Sequence, residues 1–372
     1  MTTHVAEMTP RVSRSTFRSR WPHWIGYVAA GWSLLYGLLG LFWALGGVGF
    51  PFGPESGRAA QESLLGGLRA ETAAPVIAAL GLAGALVAVV MARTRGRGWA
   101  RALLLAFAWI AAVALLVVIP DRRVLIAVAY APLFLLGAPF HWPPVSFLVA
   151  IPWPVLNQLI LIGGGILWAA TALAYQRRSL DACEHCGRVV NGATVAHDGQ
   201  TWTSPAAAAR WGRWAVAVAI IVPALYAATR YAWLLGIPLG ISEQFLRQGQ
   251  AIGLWWAGAG LATVAMAGAL LTLGLVQRWG EVFPRWMVGL AGRRVPPALA
   301  IVPALFVSII VTSGGLEDLR IALTGASMGT IELTWATLGP TLLWPIWGVA
   351  LAAAAFAYYL RRRERCRYCG RQ

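Results

Sequence analysis

Lysine is missing from this chain: all 30 basic residues are Arg, against only 14 Asp and Glu, five His and four Cys in 372 residues. A net charge of +16 would suit a nucleic-acid binder. Here, however, the Arg residues sit in short loops between apolar stretches, and no folded basic domain is left to grip a duplex. An all-Arg complement also fits a GC-rich coding bias. The scarcity of charge excludes a soluble globular protein: charged residues are 12% of the chain, roughly half the ~25% of soluble domains.

Other shortages narrow the chemistry. Of His4, His23, His141, His185 and His197, none lies deep in an apolar stretch, so a bis-His haem site is excluded. Neither a Gly-rich phosphate loop nor His-Glu-x-x-His occurs. Apolar stretches poor in Asp and Glu argue against a pump with a carboxylate relay. Gly325-Ala326-Ser327-Met328-Gly329 spells a nucleophile elbow. It lacks the flanking strand pattern and any downstream His, and in a chain with 41 Gly it reads as coincidence.

What is abundant is apolar: 59% of residues are hydrophobic. Stretches near 22–46, 74–92, 101–120, 154–176, 212–236, 252–277, 296–314 and 340–360 approach or exceed the ~20 residues that cross a bilayer core. The first is too long for a signal-peptide core and lacks a clear cleavage site, so it reads as a retained span. Residues 122–152, broken by Pro132, Pro139, Pro143 and Pro144, read either as a further span or as a re-entrant or interfacial element.

An internal repeat decides between these counts. Arg20-Trp21, Trp24, Leu35-Tyr36, Trp43 and Leu45-Gly46 recur as Arg210-Trp211, Trp214, Leu225-Tyr226, Trp233 and Leu235-Gly236, at a constant offset of 190. Ala83-Gly84-Ala85-Leu86 pairs with Ala267-Gly268-Ala269-Leu270. The endings match too: Cys183-Glu-His-Cys186-Gly187-Arg188 and Cys366-Arg-Tyr-Cys369-Gly370-Arg371, offset by 183. The counterpart of 122–152 is 319–338, whose Arg320 and Glu332 make a full span costly. The expected fold is therefore all-α: eight transmembrane helices as two parallel four-helix repeats, each with an outer re-entrant or interfacial element. Repeat one covers 1–178 and repeat two 211–365. A cytosolic linker, 179–210, carries the first knuckle, and 366–372 form the second. Eight spans with a cytosolic N-terminus put 23 Arg inside and six outside, a positive-inside pattern with both termini cytoplasmic.

That topology delivers both Cys-x-x-Cys-Gly-Arg motifs to one face. Thiolates at this spacing converge on one ion, and the Gly permits the tight turn beneath them, so Cys183, Cys186, Cys366 and Cys369 are the expected ligands of a structural zinc. The motifs resemble zinc-ribbon knuckles over about six residues each. A dithiol redox pair is the alternative, although the βαβ pattern that usually accompanies one is lacking. His185 reads as a spacer.

A second candidate site draws on the outer ends of the spans: His141, Asn157, Gln158, Glu317, Asp318 and Glu332, with Arg230, Tyr36 and Tyr226. Arg230 is the one charge well inside a span; its counterpart is Gly40, and snorkelling to the interface is its bland role. The repeated Tyr-x6-Trp spacing, Tyr36 to Trp43 and Tyr226 to Trp233, predicts ring packing across the axis between the copies. The small-residue runs at 83–85, 163–165 and 267–269 predict close helix approach. Three functions fit: a transporter-like unit for an apolar or lipid-like solute, a membrane enzyme acting on a lipid-linked substrate, or an accessory subunit whose zinc-stapled face docks a protein. Membrane lipids are the expected partners and nucleic acid is not.

Overall fold

The computed structural model describes residues 21–53, 65, 67–121, 123–125, 127, 139, 152–183, 186–187, 202–324, 332–363 and 366. Its elements are α1 (Trp21–Ala44), α2 (Ala70–Arg93), α3 (Gly98–Val113), α4 (Trp153–Ser179), α5 (Pro205–Leu234), a short α6 (Glu243–Ala251), α7 (Leu254–Leu273), α8 (Pro297–Thr324), α9 (Trp335–Leu342) and α10 (Trp344–Arg361). A π-helical turn, Ala114–Val118, continues α3 towards Pro120. No strand occurs among the described residues; an isolated bridge joins Val282 to Arg294.

Among the described residues, eight helices are long and apolar enough to cross a membrane, α3 with its π-turn and α9 with α10 each counting as one. At 1.5 Å per residue the 24 residues of α1 reach about 36 Å, enough for a ~30 Å hydrocarbon core. Helices suit that medium because every backbone N–H and C=O is satisfied inside the segment. Their outer faces carry Leu35, Leu86, Ile110, Val264 and Val349, each about two-thirds exposed to the surroundings. A water-soluble bundle would not tolerate such a belt.

The ends are set by local chemistry. Ser204 caps α5 by accepting from Ala207 N–H, with Pro205 at the first helical position. Thr334 and Thr337 form a reciprocal capping box at α9. α1 and α5 stop in the same way. Gly46 N–H bonds to Trp43 O at 3.1 Å with φ +91°, and Gly236 N–H bonds to Trp233 O at 3.1 Å with φ +82°. Only Gly adopts that left-handed turn without strain.

Packing repeats in the two halves. α1 packs on α2 and α4, and α3 on α4; likewise α5 packs on α7 and α10, and α8 on α10. Tyr175 of α4 and Tyr358 of α10 are both wholly buried. Tyr175 Oη accepts from Gly96 N–H at 3.0 Å, and Tyr358 Oη donates to Gly280 O at 2.6 Å. One turn away from each Tyr, Arg178 donates to Met91 O and Ala92 O at 2.7 Å, and Arg361 donates to Leu275 O.

Small residues bring α1 and α2 together: a Cβ on Gly81 would lie 2.5 Å from Gly37 Cα, and one on Gly40 would lie 2.7 Å from Ala78 N. Of the three small-residue runs, the first two act as expected only in part. Gly84 faces Trp168, Gly164 faces Trp32 and Gly165 faces Leu116, while Gly163 and Gly268 face open space. α8 also packs on the π-turn of α3, and there Ser313 Oγ donates to Pro120 O.

Two expectations need correcting. α8 does not stop near residue 314 but runs to Thr324: Glu317 and Asp318 are buried on it against protein, Arg320 lies within it, and Glu332 falls beyond its end. The rings of Tyr36 and Tyr226 pack within their own halves. Tyr36 stacks on Trp32 at 5.3 Å and bonds to Asn157, while Tyr226 lies edge-on to Trp344 at 5.5 Å. The 122–152 element lies, apart from the few positions named above, outside the described residues. So do Gly325-Ala326-Ser327-Met328-Gly329 and half of the linker.

Candidate metal centre and a buried polar layer

The two candidate sites lie at opposite ends of the bundle. α4 begins beside Asn157 and Gln158 and ends at Ser179, four residues short of Cys183. Twenty-odd residues of helix, about 33 Å, separate the two ends.

At the cysteine end the chain leaves α4 through Asp181, whose φ of +48° is left-handed. Ala182 N–H bonds back to Arg177 O at 2.9 Å. Cys183 O then accepts Gly187 N–H at 2.7 Å, closing the knuckle. Gly187 has φ +74°, and a Cβ there would stand 3.1 Å from Arg177 Nε, so both the turn and the space call for Gly. Cys366 arrives from the end of α10 and is buried. Its Sγ is 4.0 Å from Cys183 Sγ although the residues are 183 apart in sequence, and the three atoms Cys183, Cys186 and Cys366 Sγ lie within 4.8 Å of one another. A disulfide requires ~2.05 Å between sulfurs. A tetrahedral ion with ~2.3 Å metal–sulfur bonds sets its ligand sulfurs about 3.8 Å apart. The three thiols can therefore hold a metal ion. Cys369 and His185 lie outside the described residues.

At the opposite end the expected pocket residues form separate groups. Tyr36 Oη donates to Asn157 Oδ1 at 3.0 Å. Gln158 Oε1 accepts Asp121 N–H at 3.0 Å. Glu317 and Asp318 are 1% and 4% exposed on α8, helical and inside a candidate span rather than in a surface element. Glu332 is elsewhere, near the surface, accepting from Ser242 N–H at 3.0 Å and Oγ at 2.9 Å. His141 lies outside the described residues.

Arg230 does more than reach towards an interface. Its guanidinium stands 4.3 Å from the Tyr226 ring centroid and 4.5 Å from that of Trp233. It donates to Thr229 Oγ1 at 2.9 Å and Ala336 O at 3.1 Å, with Asp318 within electrostatic reach. Gly40, its counterpart in the sequence, lets α2 close onto α1, whereas Arg230 ties α5 to α9. Sequence reasoning missed Asp121, Arg123 and Ser313. Arg123 was counted only among the outer Arg, and nothing in the local pattern marked Asp121 or Ser313.

No family model matches this chain, and no curated protein or solved structure matches it significantly.

Proposed function

We propose that the protein is a duplicated multi-pass membrane protein clamped on its cytosolic face by structural zinc, and that it acts as a transporter-like unit for an apolar or lipid-like solute at the seam between its halves. The observation carrying the clamp is the approach of Cys183 and Cys366 Sγ to 4.0 Å across 183 residues of chain. Cys186 completes three ligands and Cys369 supplies the fourth. A clamp here ties the end of α4 to the end of α10.

Duplication is supported by contacts that no composition bias produces. The buried tyrosines Tyr175 and Tyr358, the arginines Arg178 and Arg361, and the glycines Gly46 and Gly236 repeat their partners at the offsets of the sequence repeat. Four spans per half bring both knuckles to one face, and the Arg distribution places that face and both termini in the cytoplasm.

The transporter-like reading draws on the seam itself. α8 meets the π-turn of α3, and buried polar groups collect there in an otherwise apolar bundle. Polar groups at such depth are costly and mark pathways and sites. The enzyme reading is weaker. Glu332 is committed to Ser242, and Glu317 and Asp318, as helix neighbours, point about 100° apart. Purified protein in lipid vesicles should move a fluorescent lipid between leaflets faster than protein-free vesicles do. Equal rates would remove the transporter-like reading.

A further inference from the structure

A group of buried hydrogen-bond donors hangs on Asp121, just beyond the π-turn of α3. The acid is 4% exposed. Its carboxylate takes Arg123 Nε at 3.0 Å on both oxygens and Nη2 at 2.6 Å, and also accepts Arg123 N–H at 2.9 Å. This commits one edge of the guanidinium and leaves Nη1 on the other, buried and without an acceptor, on a side chain only 10% exposed. Gln158 faces the same acid from α4. Asp121 N–H needs an acceptor, which fixes the amide with Oε1 inward; Nε2, on a residue 1% exposed, then has no partner. Asn157, fully buried, repeats the arrangement: Oδ1 accepts from Tyr36 and Nδ2 is unpartnered.

An unmade buried hydrogen bond costs about 1–3 kcal/mol, more for a charged group. Three in one region are not what closed packing produces. Arg123 Nη1 and Gln158 Nε2 lack the same thing, an acceptor, and the Asp121–Arg123 pair leaves no net charge to repel an anion. The group lies at the seam, where Pro120 O takes Ser313 Oγ from the other half, and at helix ends where chain leaves the apolar belt.

We infer that this cluster binds a phosphoryl oxyanion, the headgroup of the lipid-like solute. Arg123 Nη1 and Gln158 Nε2 donate to its oxygens. The inference rests on the lipid-like reading above for the source of the phosphate, but not on the zinc clamp.

The test titrates the purified full chain with dihexanoyl phosphatidic acid, dihexanoylglycerol and inorganic phosphate, following tryptophan fluorescence. Saturation by phosphatidic acid and none by dihexanoylglycerol is expected. Inorganic phosphate binding as tightly would overturn the lipid source, and no saturation by any phosphate species would overturn the site. Gln158→Met removes the Nε2 donor with little change of volume, together with the acceptor for Asp121 N–H. Arg123→Lys keeps the ion pair and withdraws Nη1. Each should weaken binding about tenfold or more in protein that remains folded and monodisperse. If one variant fails to fold, the other decides, and unchanged affinity in a folded variant overturns the site. Saturable binding without lipid movement in vesicles would keep the site and remove the transporter-like reading.

Discussion

Cutting the clamp tests the most specific feature of the molecule. Cys366→Ser removes one thiolate from a group whose sulfurs lie within 4.8 Å of one another. Ser is close in size, so packing around this buried position barely changes and the effect reports the ion. Closing a loop of 183 residues removes at most about 5 kcal/mol of entropy from a fully unfolded chain. For a chain of 372 residues that corresponds to a fall in Tm on the order of 7 °C. Helices that stay inserted after unfolding restrict the chain already, so a fall of a few degrees is expected. The same fall should follow a strong chelator on the unsubstituted protein, and the chelator should do nothing further to Cys366→Ser. Metal analysis should find one zinc per chain before substitution and little after it. Protein prepared under reducing, zinc-replete conditions that is monodisperse and yet carries no stoichiometric zinc would refute the reasoning. So would free reaction of all four thiols with iodoacetamide.

The remaining expectations concern packing and orientation. Tyr175→Phe and Tyr358→Phe should each cost about 0.5–1.5 kcal/mol by losing a buried hydrogen bond, read by thermal or denaturant unfolding, and a large difference between them would argue against equivalent environments. Gly81→Ala drives a Cβ to 2.5 Å from Gly37 Cα and should destabilise by about 1–3 kcal/mol or more. Gly163→Ala faces open space and should be neutral or stabilising by up to about 1 kcal/mol; equal effects in the same assay would contradict the α1–α2 contact. Arg230→Leu should loosen α9 from α5 by removing the bond to Ala336 O, seen as faster amide exchange in α9. Alkaline phosphatase fused after Gln372 should be inactive and a fluorescent protein there bright; the reverse would invert the topology.

Much of the fold was legible because lipid simplifies the code. Where backbone groups must be satisfied within the segment, length and hydropathy are nearly the whole signal, and the eight apolar stretches reappear as eight helices with ends shifted by up to ten residues. The knuckle was legible for a different reason. Two cysteines three apart, followed by Gly, describe a local turn, and that turn forms around Gly187. What local pattern cannot give is the meeting of Cys183 with Cys366, which follows only once the span count sets both on one face.

The polar layer was hidden by the same simplicity. Glu317 and Asp318 were placed in an outer element beyond a span ending near residue 314, because Arg320 and Glu332 make a span through the following segment expensive. That rule prices a charge against lipid, and these acids face protein: both are buried on α8, with Arg230 in electrostatic reach of Asp318. Arg123 was counted as an outer loop charge for orientation and Asp121 was not singled out, yet Asp121 sits inside, its backbone N–H held by Gln158 and its carboxylate by Arg123. Each misreading has one physical origin. Hydropathy averages over a helix and says nothing of which side a residue faces, while burial against another helix changes the cost of a polar group by more than its position along the chain. The residues that escape sequence analysis in a membrane bundle are therefore polar ones near span ends, and in this chain that is where the unpartnered donors of Arg123, Gln158 and Asn157 lie.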